Sequence, residues 1–334
     1  ATLKNEVDFS YEKVLKQIID KENPVKRMIP VWLKYTAAAS IVLLISFGIL
    51  FNKFTNNNSL ITAPINVNNI ESGTNKATLT LGDGSQIFLE KGKTYQNKNV
   101  KSNGDKIVYN HSDEKKMEYN YLTIPRGGEF FIKLSDGTNV WLNSESQLKY
   151  PITFIDGETR QVELIYGEAY FEVSSSIKHN GSKFKVINNA QEVEVLGTKF
   201  NIKANIDTPY IYTTLVEGKV AVSTLKEQQI LNPKEQLKLN IESNKIEINE
   251  IDINVEIAWI KGDFVFRNES LYQIMKVLSR WYDVDVEFQN KSLESMKFVG
   301  EISKYQNLEN ILTLIKNTKS INDYEINDNK IIIK

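Results

Sequence analysis

Few residues able to do covalent or metal chemistry occur in this chain of 334 residues. Cysteine is absent, which excludes disulfides, thiolate zinc or iron–sulfur sites, cysteine nucleophiles and a lipidated cysteine anchor. The only histidines, His111 and His179, stand in polar surroundings without metal-binding spacing and read as solvated loop residues. Two Asp-Gly pairs, Asp83-Gly84 and Asp136-Gly137, invite a calcium reading. A calcium loop needs further oxygen ligands at alternate positions and a closing Glu, and neither copy supplies them. Both read instead as tight primed hairpin turns with positive φ at their central residues. The single Arg126-Gly127-Gly128 reads as a turn, and a net charge of -1 gives nucleic-acid binding no electrostatic support. The carboxylates are scattered, and the sequence does not pair them across a cleft as an anchored hydrolase would need. No metal, no cofactor and no enzyme chemistry are expected from these residues.

The framework of the chain begins with an apolar run over residues 31–51. From Tyr35 to Phe51 it carries neither charge nor proline. A helix of roughly 20 apolar residues crosses a bilayer core of about 30 Å, so a single transmembrane helix is expected. Lys13, Lys16, Lys21, Lys26 and Arg27 precede it, whereas Lys53 alone follows closely. Short flanks rich in Lys and Arg stay in the cytoplasm. Residues 1–30 are therefore expected inside and the bulk of the chain on the periplasmic side. The inner segment carries one helical apolar stripe, Tyr11, Val14, Leu15, Ile18 and Ile19. Residues 52–70, rich in Asn and Thr, read as a linker.

Beyond the linker the periodicity changes to two, as in Lys183–Val186, Glu192–Val195, Lys199–Ile202 and Lys245–Ile248. This predicts an all-β body over 71–256, largely antiparallel. Leu81–Leu89 and Leu134–Leu142 match position for position as an internal repeat, suggesting stacked hairpins or solenoid-like sheets. From 257 to 334 the order becomes β-α-β followed by β-α-β-β, with Leu271, Ile274, Met275 and Leu278 on one helix and Leu308, Ile311, Leu312 and Ile315 on the other. Asn268 is the expected cap of the first helix. The fold class is thus mainly β with a small α+β domain, its helices on one side of a sheet.

Several ordered runs resemble the FecR family: Leu122–Gly128, Leu134–Asn143, Ser146–Pro151, Arg160–Leu164, Gly167–Val173 and Val195–Ile202. The tail from Trp259 is similar to the short N-terminal domain of secretins and TonB-dependent receptors. The resemblance implies an inner-membrane anti-sigma regulator and no cofactor. Its expected partners are an extracytoplasmic-function sigma factor in the cytoplasm and the signalling domain of a TonB-dependent outer-membrane receptor in the periplasm. Family members usually carry a longer cytoplasmic region, so the sigma-binding part is expected to be truncated here, with the 11–19 stripe as its sigma-side helix. Some members cut themselves at the matching Gly-Thr bond, which makes Gly197 and Thr198 candidates for autoproteolysis. A glycine at a strand bend beside an ordinary strand threonine is the structural alternative. The closing strands, with Tyr324, Glu325, Ile326, Ile331, Ile332 and Ile333, are candidates for pairing with a partner strand. A rival reading is an anchored periplasmic module binding glycan or an envelope-protein scaffold; direct glycan binding would need Trp141, Tyr150 and Tyr170 to line one groove.

Overall fold

A computed structural model describes residues 70–98, 100–109 and 118–334. The 31–51 span, the cytoplasmic stripe, most of the linker and His111 lie outside the described residues. Among the described residues no helix is long and apolar enough to cross a membrane.

Alternating side chains build the β-body as two faces sharing one core. The first face runs β2 (Gln86–Glu90), β1 (Thr74–Thr80), β6 (Tyr119–Ile124), β9 (Ser146–Pro151) and the start of β10 (Arg160–Glu172). It continues through β11 (Phe184–Asn188), β12 (Gln191–Val195), β15 (Val220–Thr224) and β16 (Gln228–Leu231). The second face runs β3 (Tyr95–Gln96), β4 (Val100–Ser102), β5 (Lys106–Tyr109), β7 (Gly128–Lys133) and β8 (Asn139–Leu142). It continues through the end of β10, then β13 (Lys199–Ala204), β14 (Tyr210–Glu217), β17 (Glu235–Asn240) and β18 (Lys245–Glu250). From β11 onward, successive hairpins are laid on alternate faces. Buried Leu79, Leu122, Ile132, Leu148, Leu164, Phe184 and Leu215 belong to one apolar cluster. Phe171 and Phe200, cross-strand partners, stack at 5.1 Å within it.

The long β10 belongs to both faces. Its register shifts between Leu164 and Tyr166, and Gly167 follows at φ 94°. A Cβ there would lie 2.4 Å from Ser146 Cα, so only glycine lets the strand pass.

The twin Asp-Gly turns differ from the primed type. Only the glycines have positive φ, 86° at Gly84 and 85° at Gly137. Gly84 N–H donates to Leu81 O and Leu81 N–H to Ser85 O; Gly137, Leu134 and Thr138 repeat both bonds, all at 2.9 Å. This is a turn followed by a left-handed residue, the three-residue hairpin loop with a bulge.

The C-terminal unit follows a connector of two single-turn helices, α1 (Ile253–Glu256) and α2 (Ala258–Lys261). Its order is β19 (Asp263–Ser270), α3 (Leu271–Tyr282), β20 (Asp285–Phe288), β21 (Lys297–Ser303), α4 (Leu308–Asn317), β22 (Tyr324–Asn327) and β23 (Lys330–Ile333). All eight apolar positions expected on the two helices are buried in a separate cluster. The strands divide into two small sheets instead of one, β19–β21 and β20–β23–β22. Ser270, not Asn268, caps α3 by accepting from Gln273 N–H at 3.3 Å. Asn268 instead takes φ 56° at a register shift in β19.

Candidate functional site

Helix α3 has two stripes, and the second is what matters at the junction with the β-body. Leu271, Ile274, Met275, Leu278, Trp281 and Tyr282 face its own core. Lys276, Ser279 and Arg280, with Asp283 just past the end, form a polar stripe at helical spacing. Three turns of the β-body hold that stripe. From the turn between β6 and β7, Arg126 Nη2 donates to Ser279 O at 3.1 Å and Val284 O at 2.5 Å. Its Nε and Nη1 face Asp283 at 3.3 Å and Asp285 at 3.2 Å. Next to it Gly127 N–H donates to Arg280 O at 2.7 Å.

A helix C-terminus ends in unpaired carbonyls and a partial negative charge, so a guanidinium with several donors suits it. Here the cap comes from a turn more than a hundred residues earlier in the chain.

The other two turns hold α3 through its cations. Arg280 Nη2 lies 2.6 Å from both carboxylate oxygens of Asp207, and its Nε lies 3.2 Å from Glu145. Lys276 Nζ lies 3.1 Å from Asp207. Burial by itself would raise the Asp207 carboxyl, but Arg280 and Lys276 outweigh it and hold the group below its ordinary range. Deeper in the junction Lys304, almost wholly buried, pairs with Glu129 and donates to Trp259 O at 3.0 Å. Burial pushes its ammonium pKa down against the pull of Glu129. Its Nζ also sits 4.4 Å from the centre of the Trp281 ring. Trp281 in turn rests on Gly73, where a Cβ would come within 2.7 Å of the ring.

A cleft of about 210 Å³ beside this junction is lined by Asp105, Glu129, Phe131, Trp141 and Trp259 among others. Trp141 reaches it, but Tyr150 and Tyr170 are buried in the β-body. The three aromatics do not line one groove.

Gly197 and Thr198 lie in the bend between β12 and β13. Gly197 has φ 146°, and a Cβ there would stand 2.9 Å from Ser175 Cα, so the bend is closed to other residues. Thr198 is buried, and its hydroxyl donates to Lys219 O at 3.0 Å. Of the closing strands, β23 is paired on both sides, parallel with β20 and antiparallel with β22. Ile331 and Ile333 are buried in it. Tyr324, Glu325 and Ile326 sit on β22, which has one neighbour among the described residues. Tyr11, Val14, Leu15, Ile18 and Ile19 lie outside the described residues.

His179 is not the freely solvated loop residue its surroundings suggested. Its Nε2 lies 2.9 Å from Ser174 Oγ, and burial, aided by Arg160, lowers its pKa. A serine nucleophile would need this contact plus an acid orienting the imidazole. The nearby Asp136 carboxylate is instead engaged by Arg160 Nη1 and Thr138 Oγ1, each at 2.7 Å. The serine–histidine pair is a brace.

Sequence reading passed over Arg126 as part of a turn and did not use the polar stripe of α3. The signal was present as Lys276, Ser279, Arg280 and Asp283 at one-turn spacing opposite an apolar stripe.

Comparison with known proteins gives this arrangement a setting. No curated protein matches the chain. Two crystal structures of a candidate anti-sigma factor from Parabacteroides distasonis, at 1.65 and 2.50 Å resolution, are similar to it. They share 27% and 26% sequence identity with a TM-score of 0.57, and the match covers 64% of this chain and 98% of theirs. The family model "FecR protein" matches residues 120–221, and "FecR, C-terminal" matches 263–333. The first spans β6 to the start of β15 and holds Arg126, Glu145 and Asp207; the second spans the whole unit that contains α3. With both domains present in order and joined through these residues, the chain belongs to the FecR family.

Proposed function

We propose that this chain is an inner-membrane anti-sigma regulator. It relays a signal from a TonB-dependent outer-membrane receptor to an extracytoplasmic-function sigma factor. The observation carrying this reading is the match of both FecR domains, together with a similar solved protein described as a candidate anti-sigma factor. The apolar 31–51 run and its one-sided basic flank support a single pass with the N-terminus in the cytoplasm. Residues 1–30 face the sigma factor, the β-body and C-terminal domain stand in the periplasm, and the receptor meets the C-terminal domain. Among the described residues β22 has one strand neighbour, and its other side is the edge on offer there. To test it, the natural full-length protein is tagged at its C-terminus, crosslinked in living cells and purified from membranes for mass spectrometry. Recovery of both a sigma factor and a TonB-dependent receptor supports the relay. Recovery of neither overturns it.

The placement of Gly197 and Thr198 in the bend between β12 and β13 leads to a second reading, self-cleavage as one step of signalling. Thr198 Oγ would attack the Gly197 carbonyl carbon, the C–N bond would break, and the hydroxyl proton would pass to the released amine. Water would then open the ester, leaving a Gly197 carboxylate and restoring the threonine hydroxyl. Intact-mass measurement of the purified protein decides it: two fragments meeting at this bond support cleavage, and an uncut chain refutes it.

A further inference from the structure

The α3 junction has the makeup of a catch and not that of a fused core. Each side has its own apolar cluster, and they share apolar contact at the entering chain, where Ile70 packs on the C-terminal cluster and Trp281 rests on Gly73. The holding groups are mostly charges and backbone carbonyls that water can also satisfy. The outer pairs of Arg126 are exposed at their acidic ends, 58% for Asp283 and 78% for Asp285. Among the described ion pairs of the junction Lys304–Glu129 is the most buried, 3% and 18% exposed, and burial costs such a pair much of its attraction, so its separation into water comes close to balance. The covalent link is short, Ile251 to Gly262, and consists of two single helical turns.

We propose that this junction is a latch. The C-terminal domain docks on and releases from the β-body as a folded unit, the last turn of α3 being the catch and the Pro125–Gly128 turn its keeper. Arg126 is the central group because it alone serves Ser279 O, Val284 O and two carboxylates. Release frees the α3 carbonyls and the Gly127 N–H together, so these two places open in concert. This goes beyond the relay reading and holds for the chain whatever its partner.

Hydrogen exchange followed by mass spectrometry on the full chain in lipid nanodiscs tests it. Arg126→Ala is expected to speed exchange about tenfold in peptides spanning 123–130 and 276–284, the scale of a lost charged cap. Strands β14 and β17 and helix α4 should keep their protection. Added salt should move the natural protein the same way, since exposed ion pairs weaken as the screening length falls from about 10 Å at 0.1 M to about 3 Å at 1 M, and should move the variant less. Asp283→Asn with Asp285→Asn, which spares the carbonyl contacts, gives a smaller rise in the same peptides and serves if the first variant folds poorly. No rise in either variant, or a rise spread evenly over both cores, overturns the latch.

Discussion

The β1–β2 and β7–β8 hairpins spell nearly the same word, yet they carry different loads. Leu81–Leu89 and Leu134–Leu142 make the same turn, with the same pair of backbone bonds and a left-handed glycine at the same place. In both, the aspartate accepts from the side chain and the backbone N–H two residues on, from Ser85 in one and Thr138 in the other. At this point they part. Asp83 is exposed to solvent, whereas the Asp136 side chain is 1% exposed and meets Arg160 at 2.7 Å, itself 2% exposed. Arg160 also donates to Ser174 O and Ser182 O, both at 3.0 Å, and lies over the Phe184 ring. Local sequence builds the turn, and the surrounding chain decides what the turn holds.

The comparison breaks most sharply at the buried pair. Arg160→Ala is expected to cost about 3–5 kcal/mol, because it strands a buried carboxylate. Urea unfolding followed on the β-body measures this, and a loss near zero would show that water reaches Asp136. Replacing both Arg160 and Asp136 with apolar residues of similar volume should recover much of the loss. Next come the glycines. Gly84→Ala and Gly137→Ala should each cost about 1–2 kcal/mol from left-handed strain. Both have room for the methyl, with nothing within 4 Å at Gly84 and only Ser174 Oγ at 3.9 Å at Gly137. Unequal losses would show that the turns are not locally equivalent.

The smallest expected effect is at Asp83. Its carboxyl is held below its ordinary pKa by the side-chain and backbone bonds to Ser85. Such a group contributes above its unfolded pKa and stops contributing as pH falls through the folded value. Asp83→Ala should therefore lower stability slightly at neutral pH, and the gap from the natural protein should close in acid. A gap that widens in acid would contradict the assignment.

Wherever a signal was local, the sequence was readable. The stripes of α3 and α4 and the alternation of the β strands follow from period alone. The bulged form of the twin turns was missed because Asp-Gly suits a two-residue primed turn as well, and only the backbone partners of Leu81 and Leu134 separate the two. Asn268 and Ser270 are both capping residue types, two positions apart. Pairing of Glu269 and Ser270 with β21 keeps the strand going past Asn268 and gives the cap to Ser270. The central place of β23 depends on parallel pairing with β20, some forty residues away, which no turn signal announces. Arg126 was hidden for a similar reason, since the carbonyls it caps are about 150 residues distant in sequence.

The seat of Trp281 on Gly73 has a mechanical meaning. Ile70 packs against the C-terminal cluster and Thr74 N–H bonds to Gly127 O at 3.0 Å, so the entering chain runs between the two domains. Tension applied to the backbone ahead of Ile70 therefore bears first on Trp281 and the Gly127 turn. The strands of the β-body bear it only afterwards. A pull on the chain ahead of Ile70 and a push on the C-terminal domain would meet at the same contact.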